Sequence, residues 1–167
     1  MAKKILIAYY SRRGENYVNG SIRNLKFGNT EVVAAKIKAL LPKADVFQID
    51  TTYEYSKSYM TCIEEAKQEL HDQARPEVKN PLESIEEYDT IILGYPNWWG
   101  TMPMVCYTFL ESYDFTGKRI IPSAPTRAAA WGRASTSSRN SVLGLRSWTA
   151  HPSTVPRLPT PTARPGR

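Results

Sequence analysis

The 167-residue sequence contains few of the side chains that build metal and disulfide sites, with two cysteines and two histidines. Cys62 and Cys106 stand far apart, so we predict neither a disulfide framework nor a zinc site, and we expect two buried thiols. His71 and His151 are equally scattered and do not indicate a Ser/His/Asp site. The sequence therefore predicts no metal site and no catalytic side chain of these types.

Long apolar runs are also missing. No stretch reaches the roughly 18 to 20 apolar residues of a membrane helix, and residues 1–10 lack the three-part pattern of a secretory signal. Because 41% of the residues are hydrophobic, the chain can still bury one core, the usual number at this length. We expect a cytoplasmic protein with one domain and no membrane attachment.

Acidic residues are absent from the C-terminal part of the chain. Of the 22 basic and 16 acidic residues, seven arginines and no acidic residue lie from Ile120 onward, so that segment carries +7 and residues 1–119 carry −1. Seven of the 12 prolines lie from Pro122 onward. This composition predicts a domain over residues 1–122 and a non-native or disordered tail over residues 123–167.

Strand and helix patterns alternate along residues 1–122. Short apolar runs rich in isoleucine and tyrosine predict strands, and helical spacing of apolar residues lies between them. The predicted strands are Lys4–Tyr10, Ala44–Asp50, Thr90–Tyr95 and Arg119–Pro122. The predicted helices are Thr30–Leu41, with Asn29 or Thr30 as N-cap, Ser56–Gln73, and one that begins at Pro103. This alternation predicts an α/β doubly wound parallel sheet.

A polar segment follows the first predicted strand and resumes, after an excursion, at the start of the first helix. Hydroxyls, a side-chain amide, backbone N–H groups and a helix N-terminus together form an anion site that suits a phosphate. The candidate residues are Ser11, Arg12, Arg13, Gly28, Asn29 and Thr30. The same residues also occur at ordinary strand-to-helix turns, and the arginines could simply be solvated.

An aromatic segment follows the third predicted strand. The candidate residues there are Pro96, Asn97, Trp98, Trp99, Gly100 and Thr101. Two adjacent tryptophans form a rigid aromatic wall, and a glycine allows close approach of the backbone to a flat ring, although tryptophans also pack in cores and interfaces. In the strand order 2-1-3-4-5 the two segments face each other at the carboxyl edge of the sheet. Together they favour a flat aromatic ligand with a phosphate tail.

The chain resembles the flavodoxin family, in a variety with an insertion in its phosphate loop. The stretches that carry the resemblance are KILIAYYSRRGENYVNG, GNTEVVAAKI, IEEAKQEL, EYDTIILGYPNWWGTMP and TFLESYDFTGKRIIP. The resemblance implies tight, noncovalent binding of FMN and one-electron transfer between redox partner proteins. It also implies a flavodoxin-like sheet in which the last strand and helix of this chain are missing or non-native.

The resemblance assigns roles to both segments. It implies that Ser11, Arg12, Asn29 and Thr30 contact the phosphate, and that residues 96–101 lie along the isoalloxazine. The backbone near Gly100 would meet the flavin N5, and one of the two tryptophans would cover a ring face. The insertion, residues 15–27, leaves open which of Arg12, Arg13, Gly14 and Gly28 contacts the phosphate.

The tail departs from the family pattern after Pro122. Relatives continue with a loop that reads Phe-Cys-Thr-His-Glu-Gly-Ser-Gly-Leu-Gly, whereas this chain reads SAPTRAAAWG. One base added near the Pro122 codon of a back-translated gene restores the family loop. We therefore hypothesise a one-base deletion, in the gene or in its sequencing, and expect weak FMN binding and poor solubility of the chain as it stands.

Three functions stay open. The first is a flavodoxin that carries electrons, and the second is an FMN-dependent NAD(P)H or quinone reductase on the same fold. The third is a binding module without flavin, whose arginine tail binds nucleic acid. Nucleic acid is disfavoured because the arginines stand singly among prolines and the tail has no lysine.

Overall fold

The computed structural model describes residues 4–124 and the backbone of residues 148–149. In chain order the elements are β1 (Lys4–Tyr9), β2 (Gly14–Val18), β3 (Ser21–Leu25), α1 (Asn29–Leu40), β4 (Asp45–Gln48), α2 (Tyr59–Asp72), β5 (Tyr88–Gly94), α3 (Met104–Glu111), β6 (Arg119–Ser123) and β7 (Trp148–Thr149). The main sheet has the order β4-β1-β5-β6-β7. Its first four strands are parallel, which confirms the predicted fold class and the order of the four predicted strands.

The C-terminal edge of the sheet differs from the prediction. β6 includes Ser123, one residue beyond the predicted domain boundary. β7, which the sequence analysis did not predict, pairs antiparallel with β6 through Trp148 and Thr149. Residues 125–147 and 150–167 of the predicted tail lie outside the described residues.

Helix α1 begins differently from the prediction. Gly28, with extended backbone at φ −70° and ψ 153°, occupies the N-cap position. Asn29 is the first helical residue, so the prediction that Asn29 or Thr30 caps the helix was wrong. The cap hydroxyl comes from another segment, because Ser11 Oγ accepts a hydrogen bond from the Glu31 backbone N–H at 3.0 Å. A hydroxyl at this place satisfies one of the helix donors that lack partners in the first turn.

The insertion after β1 forms an antiparallel hairpin, β2–β3, which we had predicted only as a polar excursion. Its register runs from Gly14 opposite Leu25 to Val18 opposite Ser21. Asn19 and Gly20 form the turn, with φ of 48° and 88°. An Asn-Gly pair with positive φ at both residues is typical of the two-residue turns that join antiparallel strands. This dipeptide was the signal in the sequence that predicts the hairpin.

The core lies on both faces of the sheet. Alternate residues of β1 point to opposite faces, as the strand repeat requires. Leu6, Ala8 and Tyr10 pack in the larger cluster with residues of α3, and Ile7 and Tyr9 pack in the smaller cluster with Ala34 of α1. Cys62 and Cys106 are both buried, as predicted.

Backbone hydrogen bonds connect the carboxyl ends of three neighbouring strands. The Tyr10 N–H donates to the Gly94 carbonyl at 2.9 Å, and the Tyr95 N–H donates to the Ser123 carbonyl at 3.0 Å. The segments that follow β1 and β5 therefore start side by side at one edge of the sheet, where ligands of doubly wound folds bind.

Candidate functional site

The two halves of the predicted phosphate segment meet in space although the hairpin separates them in the chain. Gly28 packs directly against Ser11 and Arg12: a Cβ on Gly28 would overlap Ser11 Oγ and the Arg12 carbonyl oxygen, and would lie 2.9 Å from the Arg12 carbonyl carbon. No side chain larger than hydrogen fits there unless the backbone shifts. This close approach brings the two halves of the phosphate segment together at the N-terminus of α1, although the hairpin separates them in the sequence.

An ion pair lies at the same helix N-terminus. Arg13 donates from Nε and Nη2 to the two carboxylate oxygens of Glu31, at 2.9 and 2.6 Å. These hydrogen bonds from Arg13 are the main reason that the pKa of Glu31 lies below its usual value. The Arg13 side chain is 57% exposed and the Glu31 side chain 15%. Arg13 therefore already neutralises a carboxylate in the first turn of α1.

Asn29 and Thr30, the first two residues of α1, differ in accessibility. Asn29 is exposed at the start of the helix. Thr30 is 2% exposed, and its methyl group faces β5, because a Cβ on Gly94 would lie 3.2 Å from Thr30 Cγ2. Asn29 is thus accessible to a ligand, and the Thr30 side chain packs between α1 and the sheet.

The aromatic segment after β5 contains a tight turn. Trp98 and Thr101 exchange two backbone hydrogen bonds, of 2.8 and 3.1 Å. The two central residues, Trp99 and Gly100, have φ of 53° and 85°. A tryptophan in the left-handed region is unusual and costs conformational energy, which the surrounding contacts must offset. A Cβ on Gly100 would meet no atom of the described residues within 4 Å, so within this part of the chain the turn conformation, not crowding, favours glycine.

Each tryptophan of the turn has its own set of contacts. Trp99 is 49% exposed, its Nε1 donates to the Ile63 carbonyl of α2 at 2.9 Å, and Lys67 Nζ lies 5.3 Å from its ring centroid. Trp98 is partly buried and packs against the larger core cluster. The turn therefore presents two indoles in fixed orientations beside α2.

A cavity of about 240 Å³ lies between the root of the hairpin, α2 and the aromatic turn. The side chains with polar or aromatic groups that line it are Arg12, Asn16, Tyr59, Asn97, Trp98 and Trp99. Cys62 also lines it, and burial raises the pKa of its thiol although Arg12 opposes the shift. The combination of aromatic walls with a few hydrogen-bonding groups is typical of sites for flat organic ligands.

The comparison with protein families identifies the chain. The model of the family described as Flavodoxin matches residues 4–149. This chain belongs to the flavodoxin family. The predicted family is thereby confirmed.

Solved structures resemble this flavodoxin over most of the chain. A candidate flavoprotein from Bacteroides uniformis ATCC 8492 is 29% identical, with a TM-score of 0.58 over 74% of this chain and 72% of that one. A similar protein from Bacteroides eggerthii DSM 20697 is 28% identical, with a TM-score of 0.59 over 74% and 70%. A flavoprotein from Lactobacillus acidophilus NCFM, in complex with FMN, shares the fold at 20% identity, with a TM-score of 0.53 over 74% and 93%. No curated protein matches this chain.

The hairpin and Arg12, which precedes it, contact the N-terminal end of α2 through hydrogen bonds and a ring contact. Arg12 Nη2 donates to the carbonyl oxygens of Ser56 and Lys57 at 2.8 and 3.0 Å. Glu15 accepts a hydrogen bond from the Tyr59 backbone N–H at 2.7 Å, so it caps α2 with a favourable negative charge. The Tyr17 ring stacks on the Tyr59 ring with centroids 6.1 Å apart. These contacts make the hairpin one wall of the cavity.

The cavity includes only some of the predicted site residues of the flavodoxin. Arg12, Asn97, Trp98 and Trp99 line it, whereas the other predicted residues of the two segments do not. Those others are Ser11, Arg13, Gly28, Asn29, Thr30, Pro96, Gly100 and Thr101. Five lining residues were missed, because their places depend on how the hairpin and α2 pack together. They are Asn16 of the hairpin and Tyr59, Cys62, Ile63 and Ala66 of α2. The Asn-Gly pair was the available signal for that hairpin.

The described residues contain no group of three or more His, Cys, Asp or Glu side chains that could hold a metal ion. Nor does any described helix have the length and apolar character needed to cross a bilayer.

Proposed function

We propose that this flavodoxin binds FMN and carries single electrons between redox partner proteins. The observation that carries the proposal is that Arg12 joins two halves of one site. Its backbone lies against Gly28 at the N-terminus of α1, and its side chain lines the aromatic cavity. FMN is a flat ring joined to a phosphate, so it matches an anion site beside an aromatic cavity. The FMN complex of the Lactobacillus acidophilus flavoprotein supports the choice of this flavin.

The residues around the N-terminus of α1 fit a phosphate. Ser11 supplies a hydroxyl, Asn29 an exposed amide, and the first turn of α1 supplies backbone N–H groups on the positive end of the helix dipole. Glu31 lies in the same turn, but its charge is neutralised by the bidentate contact with Arg13. A bound phosphate therefore meets no net negative charge from this pair. Ser11, Asn29 and the backbone around Gly28 would hold the phosphate.

The residues of the aromatic turn fit the ring. Trp98, Trp99 and Tyr59 offer flat apolar faces, and Asn97 offers an amide for the polar edge of a flavin. The cavity of about 240 Å³ is smaller than the roughly 300–1,000 Å³ of pockets that enclose a whole drug-sized ligand. It therefore suits part of FMN, while the phosphate end lies at α1. When bound, FMN supplies the one-electron redox chemistry, and the protein supplies shape and electrostatics.

The chain's own residues would tune that chemistry in two ways. The indoles exclude water from one side of the ring, and low polarity strengthens every electrostatic interaction there. The Gly100 peptide lies in a turn fixed by two hydrogen bonds, and its backbone groups would be available to the edge of the flavin ring without rearranging. Redox partners would approach where Trp99 is exposed at the rim.

Titration with FMN tests the proposal. The purified chain is added to FMN, and we expect quenching of flavin fluorescence with one binding site, together with a shifted flavin absorbance band. Asn29→Ala is expected to weaken binding about three- to tenfold, because it removes one amide from the phosphate. Asn24→Ala removes an exposed amide from β3 and serves as the control. Absence of quenching at FMN concentrations up to about 0.1 mM would contradict the proposal.

A second measurement separates an electron carrier from a reductase. With FMN bound, an electron carrier is reduced by a reductase protein or by a chemical one-electron donor and reacts poorly with NADH or NADPH alone. Rapid oxidation of either nucleotide by the FMN-loaded chain would assign it to the reductases. Retention on DNA that is lost at high salt would instead support the nucleic-acid alternative.

A further inference from the structure

Trp98 makes T-shaped contacts with two tyrosine rings. The ring centroids of Trp98 and Tyr10 are 5.3 Å apart, with an interplanar angle of 81°. Those of Trp98 and Tyr55 are also 5.3 Å apart, at 87°. Edge-to-face contacts of this kind stabilise aromatic pairs and depend on orientation. Since the backbone of Trp98 is fixed by its turn, the two tyrosines decide where the indole faces.

The two tyrosines are secured in different ways. Tyr10 directly follows β1, is 4% exposed, and its backbone bonds to Gly94, so the sheet itself holds it. Tyr55 lies in the irregular segment between β4 and α2, where no regular element holds the backbone. Its ring contacts those of Tyr10 and Tyr53, with centroids 6.3 and 5.2 Å apart, and side chains of α2 bind its hydroxyl and the backbone next to it.

Two carboxylates on one face of α2 provide those contacts. Glu69 Oε2 accepts a hydrogen bond from the Tyr55 hydroxyl at 2.7 Å. Glu65, four residues earlier and on the same side of the helix, accepts a hydrogen bond from the Ser56 N–H at 2.9 Å. Glu69 is partly buried, and burial raises its pKa to about 7. The Tyr55 hydroxyl is thus a hydrogen-bond donor to a partly buried carboxylate.

We propose that Glu69 and Tyr55 are positioning residues for the flavin site. The hydrogen bond to Glu69 fixes the Tyr55 ring, and the Tyr55 ring fixes the Trp98 indole that lines the cavity. The inference rests on the proposed function in one respect, because the indole matters for FMN only where FMN binds. It goes beyond that function because neither residue lines the cavity.

The test compares two disruptive variants with conservative and neighbouring controls. Glu69→Ala removes the acceptor, and Tyr55→Phe removes the donor but keeps the ring. Glu69→Gln keeps an oxygen that accepts from Tyr55 and is expected to behave like the wild type. Glu64→Ala removes an exposed carboxylate from the same helix, and Tyr53→Phe removes the hydroxyl of the tyrosine that packs on Tyr55.

Near-UV circular dichroism of the chain without FMN gives the first readout. The difference spectrum of Trp98→Phe identifies the signal of that indole among the four tryptophans. We expect Glu69→Ala and Tyr55→Phe to lose much of this signal with an unchanged far-UV spectrum, and the three control variants to keep it. If Glu69→Ala does not fold, Tyr55→Phe alone still tests whether the hydrogen bond positions Trp98.

FMN affinity and the flavin potential give the second readout. A less fixed indole is expected to raise the FMN Kd about fivefold in both disruptive variants, and to shift the midpoint potential of the bound flavin. The Kd of Glu69→Gln is expected to stay within about twofold of the wild type.

The two readouts separate the possible failures. If the wild type does not bind FMN, the proposed function fails, and the circular dichroism alone still decides whether Glu69 and Tyr55 position Trp98. If the wild type binds FMN but both disruptive variants keep the Trp98 signal, the Kd and the potential, the inference is overturned.

Discussion

Replacement of Gly28 by alanine tests the central contact of the site. Gly28 has φ −70° and ψ 153°, a conformation that alanine adopts freely. The substitution therefore introduces no backbone strain of its own. By restricting the unfolded chain, it would even stabilise the protein by about 0.4–1 kcal/mol if there were room for the methyl group.

There is no room for that methyl group. It would overlap Ser11 Oγ and the carbonyl oxygen of Arg12. The serine hydroxyl can rotate away, but the carbonyl belongs to the backbone that connects β1 to the hairpin, so α1 and that backbone must separate. Overpacking of this kind costs about 1–3 kcal/mol, and alanine is also a poor N-cap residue, at a cost of about 0.5–1 kcal/mol. We expect Gly28→Ala to lower the free energy of unfolding by about 2–3 kcal/mol.

Urea unfolding followed by far-UV circular dichroism measures this change, since the midpoint falls while the slope stays constant. Gly117→Ala is the matched control. Its Cβ would meet no described atom within 4 Å, but φ there is 75°, so the left-handed conformation alone costs about 1–2 kcal/mol. FMN titration of both variants adds a second comparison. We expect an FMN Kd at least about tenfold higher for Gly28→Ala and an unchanged value for Gly117→Ala.

Two results would refute the reasoning. A Gly28→Ala chain as stable as the wild type would mean that Ser11 and Arg12 do not lie against α1. A destabilised chain with unchanged FMN affinity would mean that the phosphate binds elsewhere, and the site would have to be sought away from the N-terminus of α1.

Three further predictions concern charge, the hairpin and the tail. Burial raises the pKa of Glu69 from 4.5 to about 7 in the folded state, so the folded chain binds a proton at Glu69 more tightly than the unfolded chain does. The stability that this proton contributes is fully present below about pH 4.5 and is lost as the pH rises through 7. Glu69→Gln should therefore be more stable than the wild type by about 1–2 kcal/mol at pH 8 and equal to it at pH 4, which thermal unfolding across this pH range checks. Glu15→Ala removes the acceptor for the Tyr59 N–H and should cost about 1 kcal/mol of unfolding free energy; an unchanged Tm would show that the hairpin does not cap α2. A gene with one base added near the Pro122 codon should encode a chain that is more soluble and binds FMN more tightly. Resequencing of the original gene across this point would exclude the deletion if the reading frame is unbroken.

Much of the fold could be predicted because its signals are local. The apolar runs before Tyr10 and Tyr95 read as buried strands, and their alternation with helices leaves few arrangements of a parallel sheet. The errors have different causes. The N-cap of α1 was misassigned because its hydroxyl comes from Ser11, far back in the chain. The hairpin was missed because its polar strands have no buried face to give them a clear alternation.

The site could be predicted in outline and not in its details. The polar segment and the aromatic segment each follow the carboxyl end of a strand, so the strand order of the sheet brings them together. Whether a given side chain then faces a ligand depends on packing. Thr30 was expected at the phosphate and packs against Gly94, Arg13 pairs with Glu31, and Tyr59 reaches the cavity only because the hairpin rests on α2.

The sequence by itself determined the alternation of strands and helices, the division of charge at Ile120 and the position of both segments in the chain, since these depend on residue pattern and composition. Only the tertiary structure decided that Ser11 and Arg12 meet Gly28, that the hairpin forms one wall of the cavity, and that Glu69 of α2 binds the Tyr55 hydroxyl beside Trp98. Those contacts join segments that are remote in the chain. Their geometry follows from close packing and from hydrogen bonds that must find partners away from water, which no single stretch of residues contains.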